Sequence, residues 1–248
     1  MNILDKITGP WQRQWAILWF ICGAIALSAG FWYSTDHSQL EIIKLIVALI
    51  GLVCVVALAF RRNIAGNGLG ITANVGEIFV QGRSGATGLM LAPIFYLTTH
   101  LYGLYYWHKN EDGDGNMIPR KANATVWIIT AIFIAAGLAV FPWVNEQLQQ
   151  YSFIESGSDT AISFAGINLS WYAINVIAFV LGVTAQTTMI LRYSFSWGIW
   201  ILVNCVWLAV NIANHNTIFA IQTIVYQINA FIGLYEWWQS SRKTTVKR

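Results

Sequence analysis

Charge is the scarcest property of this 248-residue chain: only 10% of its residues are Asp, Glu, Lys or Arg, against roughly 25% in a soluble globular domain. So little charge cannot clothe a water-soluble fold, and a hydrophobic content of 56% excludes one. Cysteine is sparse too. Cys22, Cys54 and Cys205 lie inside apolar runs, are odd in number and share no ligand spacing, so neither a disulfide framework nor a metal site is expected. A clustered nucleophile, base or metal set is missing, which argues against an intramembrane enzyme and against a cofactor. The short alternating segments of about ten residues that a membrane β-barrel needs are missing as well.

What the chain has is length of apolar run. Helices are expected near Gln14–Tyr33, Gln39–Phe60, Leu69–Gln81, Gly88–Trp107, Ala124–Trp143, Asn168–Ile190, Trp197–Ala213 and Thr217–Trp238, because in lipid a segment must satisfy its own backbone. The fold class is therefore an all-α membrane protein with eight transmembrane helices. The third run is short against the roughly 20 residues of a crossing and is expected to be tilted, broken or extended back into Gly66-Asn67-Gly68. The first run exceeds the apolar core of a cleaved leader, usually about 7–15 residues, and is read as a span.

With the N-terminus cytoplasmic, Lys6, Arg13, Arg61, Arg62, Lys109, Arg120, Lys121, Arg192, Arg242, Lys243, Lys247 and Arg248 all fall inside, leaving Lys44 and Arg83 outside. Basic residues are retained in the cytoplasm during insertion, so this asymmetry supports an even number of crossings with both ends inside.

The chain also repeats itself. An offset of 130 positions aligns Arg62 with Arg192, Ile71 with Ile201, Asn74 with Asn204, Thr87 with Thr217 and Tyr96 with Tyr226. It further aligns Gly103-Leu104-Tyr105 and Trp107 with Gly233-Leu234-Tyr235 and Trp237. Copies four helices apart run in the same direction, which requires a linking helix between two three-helix units. The expected plan is an extra N-terminal helix (1–38), a first repeat (39–107), a linking helix with its loops (108–167), a second repeat (168–238) and a basic cytoplasmic tail (239–248). Parallel-repeat transporters bind substrate near mid-membrane between such halves.

Polar residues inside the runs mark where that site falls. Trp197, Trp200, Asn204, Trp207 and Asn211 recur at intervals of three and four on one helical face. Their mates in the first repeat include Gly70, Asn74, Glu77 and Gln81. The eighth run adds Gln222, Tyr226 and Asn229, the fourth Tyr96, Thr99 and His100, and the sixth Asn175, Thr184 and Gln186. Amides commonly tie membrane helices together with about 0.6 kcal/mol each, and Trp commonly sits at the bilayer interface. A stripe of amides interleaved with mid-span indoles is better explained by a bound polar ring. The candidate binding residues are Trp197, Trp200, Asn204, Trp207, Asn74, Gln186, Gln222 and Tyr226. Glu77, Gln81, Asn211 and His100 are candidates for gating or coupling. Glu77, an acid well inside a span, has three readings: proton coupling, contact with a cationic substrate, or an ion pair with Arg83. His100 is read either as a proton-transfer group or as a bridge between helices.

The segment Asp112-Gly113-Asp114-Gly115-Asn116 imitates the opening of a calcium loop, but Met117 and Asn123 stand where Gly and Glu are required, so a solvated turn is expected. Gly66-Asn67-Gly68-Leu69-Gly70 lacks the Lys of a phosphate loop and reads as a helix start.

Trp197 and Trp200 with the downstream Asn204 resemble the W-x-x-W and Asn of the PnuC family of nicotinamide riboside transporters, and the repeat and the Tyr-Trp endings of the fourth and eighth runs extend the resemblance over most of the chain. The resemblance implies a SWEET-like three-one-three fold, a homotrimer in the bacterial inner membrane, and nicotinamide riboside bound between the halves. It also implies facilitated diffusion made one-way by a cytoplasmic riboside kinase; the basic residues, read as topology signals, argue against a nucleic-acid partner. Trp197 and Trp200 would form the aromatic wall and Asn204 would hydrogen-bond the ligand. The chemistry of the residues is compatible, since Trp faces attract a cationic ring by about 0.5–2 kcal/mol. A carrier of a sugar or another vitamin precursor, ion-coupled through Glu77, is the alternative. A retinal-type receptor is disfavoured because Lys44, the one span lysine, stands near a helix start.

Overall fold

The structure is a computed structural model and describes residues 13–82, 87–149, 161–164, 167–213 and 216–246. The described residues form eight α-helices: α1 (Arg13–Tyr33), α2 (Gln39–Ala59), α3 (Leu69–Gln81), α4 (Thr87–His108), α5 (Ala124–Gln149), α6 (Trp171–Ile190), α7 (Ser196–Ala213) and α8 (Thr217–Val246). By length and composition α1, α2, α5, α6, α7 and α8 can each cross a bilayer. α4 has the length, 22 residues, but Pro93, Thr98, Thr99, His100 and its tyrosines dilute its apolar character. α3 is extended at its start by a π-helical turn, Ile64–Gly68, so that 64–81 form one rod of roughly 25 Å. Of the three expectations for this segment, backward extension is the one the structure adopts.

Other boundaries differ from the sequence reading. α5 passes through Pro142 to Gln149, and α8 continues to Val246, so most of the expected tail is helical; Arg242 lies over the Trp238 ring one turn earlier, at 3.6 Å. α6 starts at Trp171 because Ser170 caps it, accepting from the Ala173 N–H at 3.1 Å, and because the preceding residues pair in a hairpin of Ala161–Phe164 with Ile167–Ser170. That hairpin lies between α5 and α6, and its second strand takes Asn168–Ser170, which were expected to begin the sixth helix. Lys6, Arg83, Lys247 and Arg248, used in the charge count, lie outside the described residues.

Helices α2, α3 and α4 pack as one unit and α6, α7 and α8 as another; α4 packs on α6 and α8 on α2 where the units meet. α5, the linking helix, lies against α6, and α1 fills the notch between α2 and α8. The seam is built twice from equivalent residues. The Trp107 indole N–H donates to the Ile190 carbonyl at 2.9 Å, and the Trp237 indole N–H donates to the Leu58 carbonyl at 3.1 Å. The Gln186 amide donates to Thr99 at 3.1 Å, while the Asn229 amide donates to the Val55 carbonyl at 3.0 Å. Tyr96 reaches Gly182 and Tyr226 reaches Gly51, each hydroxyl occupying the space a Cβ would need.

One detail of the repeat is corrected. α2 and α6 both end on an arginine with left-handed backbone, Arg61 (φ 63°) and Arg192 (φ 70°), so Arg61 rather than Arg62 is the structural mate of Arg192. Each terminates its helix with the paired bonds of a Schellman motif, a place glycine usually takes because a side chain costs about 1–2 kcal/mol there. The guanidinium groups offset that cost: Arg61 donates to the Met117 carbonyl at 3.2 Å and Arg192 to the Ile118 carbonyl at 2.7 Å. Residues 109–121 are thereby strapped across the ends of both units. Burial draws Arg61 below its ordinary value, opposed by Asp112 at 3.7 Å and by Glu236.

Within the strap, Asp112 accepts from the backbone of Asp114 and Asn116 at 3.0 and 2.9 Å, which makes the acidic segment a turn, as expected, instead of a cation loop. No group of residues suited to a metal ion occurs among the described residues.

Candidate functional site

Between the two units lies a cavity of about 190 Å³. All twelve candidates line it: Trp197, Trp200, Asn204, Trp207 and Asn211 from α7; Asn74, Glu77 and Gln81 from α3; His100 from α4; Gln186 from α6; Gln222 and Tyr226 from α8. Helical spacing places the α7 and α3 sets on facing stripes, and the repeat sets those stripes at one depth. Asn175 and Thr184 do not line it; they bond to the Trp171 and Val180 carbonyls of their own helix. Sequence reasoning passed over Gly51, Cys54, Val55 and Leu58 of α2, which complete one wall. α2 is apolar throughout the buried half and carries no polar spacing that could have singled them out. Tyr96 and Asn229 also line the cavity, and their registers with His100 and Tyr226 had made them visible as polar positions.

The floor is aromatic and closely packed. Trp107, Trp197 and Trp237 meet edge to face, with ring centroids 5.5–5.6 Å apart, over Leu58, Met189 and the strap residue Met117; Trp107, Trp237 and Met117 are completely buried. Trp197 thus belongs to the floor as well as to the lining. Above it Trp200 packs against Tyr96 at 5.7 Å. Asn67 and Trp197 are repeat mates, and so are Gly103 and Gly233; each glycine lies where a Cβ would collide with the side chain in front of it, Asn67 for Gly103 and Trp197 for Gly233. The first unit therefore seats an amide where the second seats an indole.

Several lining groups have bonding capacity left over. The indole N–H groups of Trp197 and Trp200, the Tyr96 hydroxyl and the Asn229 side-chain oxygen are buried without a partner among the described residues, and Asn204 forms no hydrogen bond with them. Asn74 uses its N–H on the Gly70 carbonyl at 2.7 Å, Gln222 donates to Tyr226 at 2.9 Å, and Asn211 reaches Thr223 at 3.2 Å. Glu77 accepts from Gln81 at 3.3 Å and lies within electrostatic range of Tyr96 and Tyr226. Its expected partner Arg83 is outside the described residues. Buried groups of this kind cost free energy unless something bonds to them, so the cavity is chemically suited to a ligand with flat apolar faces and several polar edges.

Two three-helix units closing on one central polar and aromatic cavity in a multi-pass membrane protein define the class: a membrane transporter built from parallel repeats. Residues 41–239 match the model of the nicotinamide mononucleotide transporter family, and the chain belongs to that family. It is similar to the nicotinamide riboside transporter PnuC of Haemophilus influenzae, with 23% identity over 250 residues, covering 98% of this chain and all of that one. Its fold is similar to the crystal structure of the vitamin B3 transporter PnuC, with a TM-score of 0.73 at 16% identity over 96% of each chain.

Proposed function

We propose that the protein carries nicotinamide riboside across the membrane by facilitated diffusion, alternating access through motion of one three-helix unit against the other. The observation that carries this reading is the composition of the cavity: indole and phenol faces for a flat cationic ring, amides for a carboxamide and ribose hydroxyls, and among the described lining residues one carboxylate but neither Lys nor Arg. A riboside is accommodated by such a wall. A mononucleotide would bring phosphate charge to a wall with neither Lys nor Arg among its described residues, so the riboside is preferred over the mononucleotide for which the family is named.

In this reading Trp200, Trp207 and Tyr226 contact the ring, Asn74, Asn204, Gln186 and Gln222 contact its polar substituents, and Trp197 closes the floor. Gln81 and Asn211 flank the far end, Glu77 supplies charge, and His100 supports Gln186. The carrier works as a homotrimer in the bacterial inner membrane with both termini cytoplasmic, and a cytoplasmic riboside kinase makes net uptake one-way. The reading as a carrier and not an enzyme rests on family membership.

Uptake of labelled riboside into sealed vesicles containing the purified protein tests it. Saturable uptake that persists without a proton or sodium gradient is expected. Loss of uptake on collapsing either gradient would favour coupled transport through Glu77, and competition by a sugar or by another vitamin precursor in place of the riboside would favour the alternative cargo.

A further inference from the structure

A chain of buried side chains leads away from the cavity, and its direction can be deduced. Its outer end consists of groups that only accept: the Leu104 carbonyl and the Glu111 carboxylate receive the two N–H bonds of the Asn63 amide, at 3.0 and 3.1 Å. With its nitrogen committed, Asn63 can offer only its oxygen inward, and that oxygen accepts from the Asn67 amide at 2.9 Å. The Asn67 oxygen, in turn, faces the His100 Nδ1 at 2.9 Å, so Nδ1 carries the proton.

An imidazolium at this place, 4% exposed and with no carboxylate bonded to it, would be a buried unpaired charge, so the ring is neutral and its Nε2 is bare. Bare Nε2 accepts from the Gln186 amide at 3.3 Å. The second Gln186 N–H goes to Thr99 at 3.1 Å, whose own hydroxyl proton is spent on the Tyr96 carbonyl at 2.9 Å. Both amide protons of Gln186 are thus used, and its oxygen has no partner among the described residues.

Local structure explains why the chain can exist. Asn67 sits in the π-helical turn that precedes α3, completely buried, and Gly103 supplies the gap that its oxygen fills. In the second unit the same position is Trp197, so nothing equivalent forms there.

We propose that Asn63, Asn67 and His100 are positioning residues that fix the polarity of Gln186, so that the cavity presents a hydrogen-bond acceptor at this point and selects a ring bearing a carboxamide over the same ring bearing a carboxylate. The inference rests on the riboside reading for its ligand, and on hydrogen-bond geometry and burial for its polarity. A carboxamide N–H completes the unused Gln186 oxygen, whereas a carboxylate sets two acceptors against each other.

Two measurements test it. Nitrogen NMR of His100 in the full-length protein reads the polarity without any ligand: the neutral Nδ1–H form is expected at neutral pH in wild type, and a redistribution between tautomers in Asn67→Leu. An Nε2–H ring or a charged ring in wild type overturns the proposal. Calorimetric binding of nicotinamide riboside and nicotinic acid riboside then reads the selectivity. Wild type should favour the amide by about tenfold or more, and Asn67→Leu and Asn63→Leu should each shrink that ratio, with circular dichroism at the binding temperature matching wild type. An unchanged ratio in both variants, or equal binding by wild type, overturns the selection. Failure of wild type to bind either riboside while the Nδ1–H form is present would defeat the function proposed above and leave the polarity standing.

Discussion

Trp107, near the end of α4, donates its indole N–H to Ile190, the last residue of α6 in the opposite unit, at 2.9 Å. Trp237 performs the same task for Leu58 of α2, and the two rings meet at 5.6 Å beneath the cavity. Among the described residues the Ile190 carbonyl at the end of α6 has no backbone donor and the Trp107 indole supplies one, whereas the Leu58 carbonyl takes the Trp237 indole in addition to the Arg61 N–H. The two units are therefore joined at this end by a pair of indoles, which in the proposed carrier would have to part for the cavity to open here.

Trp107→Phe and Trp237→Phe keep the ring and remove the donor. Trp107→Phe is expected to destabilise the protein by about 1–3 kcal/mol, the cost of leaving the buried Ile190 carbonyl unbonded, and Trp237→Phe by about 0.5–1.5 kcal/mol, since the Leu58 carbonyl keeps the Arg61 N–H. Because the rings touch, the double variant should differ from the sum of the singles by about 0.5 kcal/mol or more, measured by denaturation in detergent. Strict additivity would show that the two contacts act independently.

Gly51→Ala is expected to drive the Tyr226 ring from its place, since an added Cβ collides with the hydroxyl. Overpacking of this kind costs about 1–3 kcal/mol, and ligand affinity should fall with it. Tyr226→Phe in the same chain removes the colliding oxygen and should recover part of both losses. Gly182→Ala with Tyr96→Phe should behave alike, which makes thermal and binding measurements on the two pairs a test of the pseudo-symmetry.

Trp200→Ala and Asn204→Ala should each weaken riboside binding by about tenfold, in line with the loss of a ring face or of one hydrogen bond in a desolvated site. Circular dichroism of both variants should match wild type, because Asn204 holds no other described residue in place. Unaltered affinity in both would remove α7 from the binding site.

Glu77→Gln preserves the shape of the side chain and removes its charge. Affinity for the cationic riboside should drop several-fold more than affinity for its uncharged reduced form, as read by titration calorimetry. Equal loss for the two ligands would assign Glu77 a packing role.

Much of the architecture was readable in advance because membrane helices announce themselves by composition. Eight runs, their duplication and the facing stripes of α3 and α7 follow from which residues lipid tolerates and from a helical period of 3.6. Terminal positions were less legible: the end of α5 past Pro142 and the end of α8 at Val246 depend on helical hydrogen bonding that continues beyond the apolar stretch. The π-helical turn at Ile64–Gly68 was flagged by its glycines only as a place where α3 could begin.

The sequence by itself determined that this chain lives in a bilayer, that it is built from a repeated unit, and that amides and indoles share helical faces, because each of those properties is local or periodic. Only the tertiary structure decided that apolar α2 lines the cavity, that Trp107 and Trp237 serve the opposite unit, and that Asn63, Asn67, His100 and Gln186 form one directed chain. Those relations join atoms far apart in the chain, and the direction of a hydrogen bond is set by whichever neighbour can only accept, a fact that belongs to the packed protein and to no single residue.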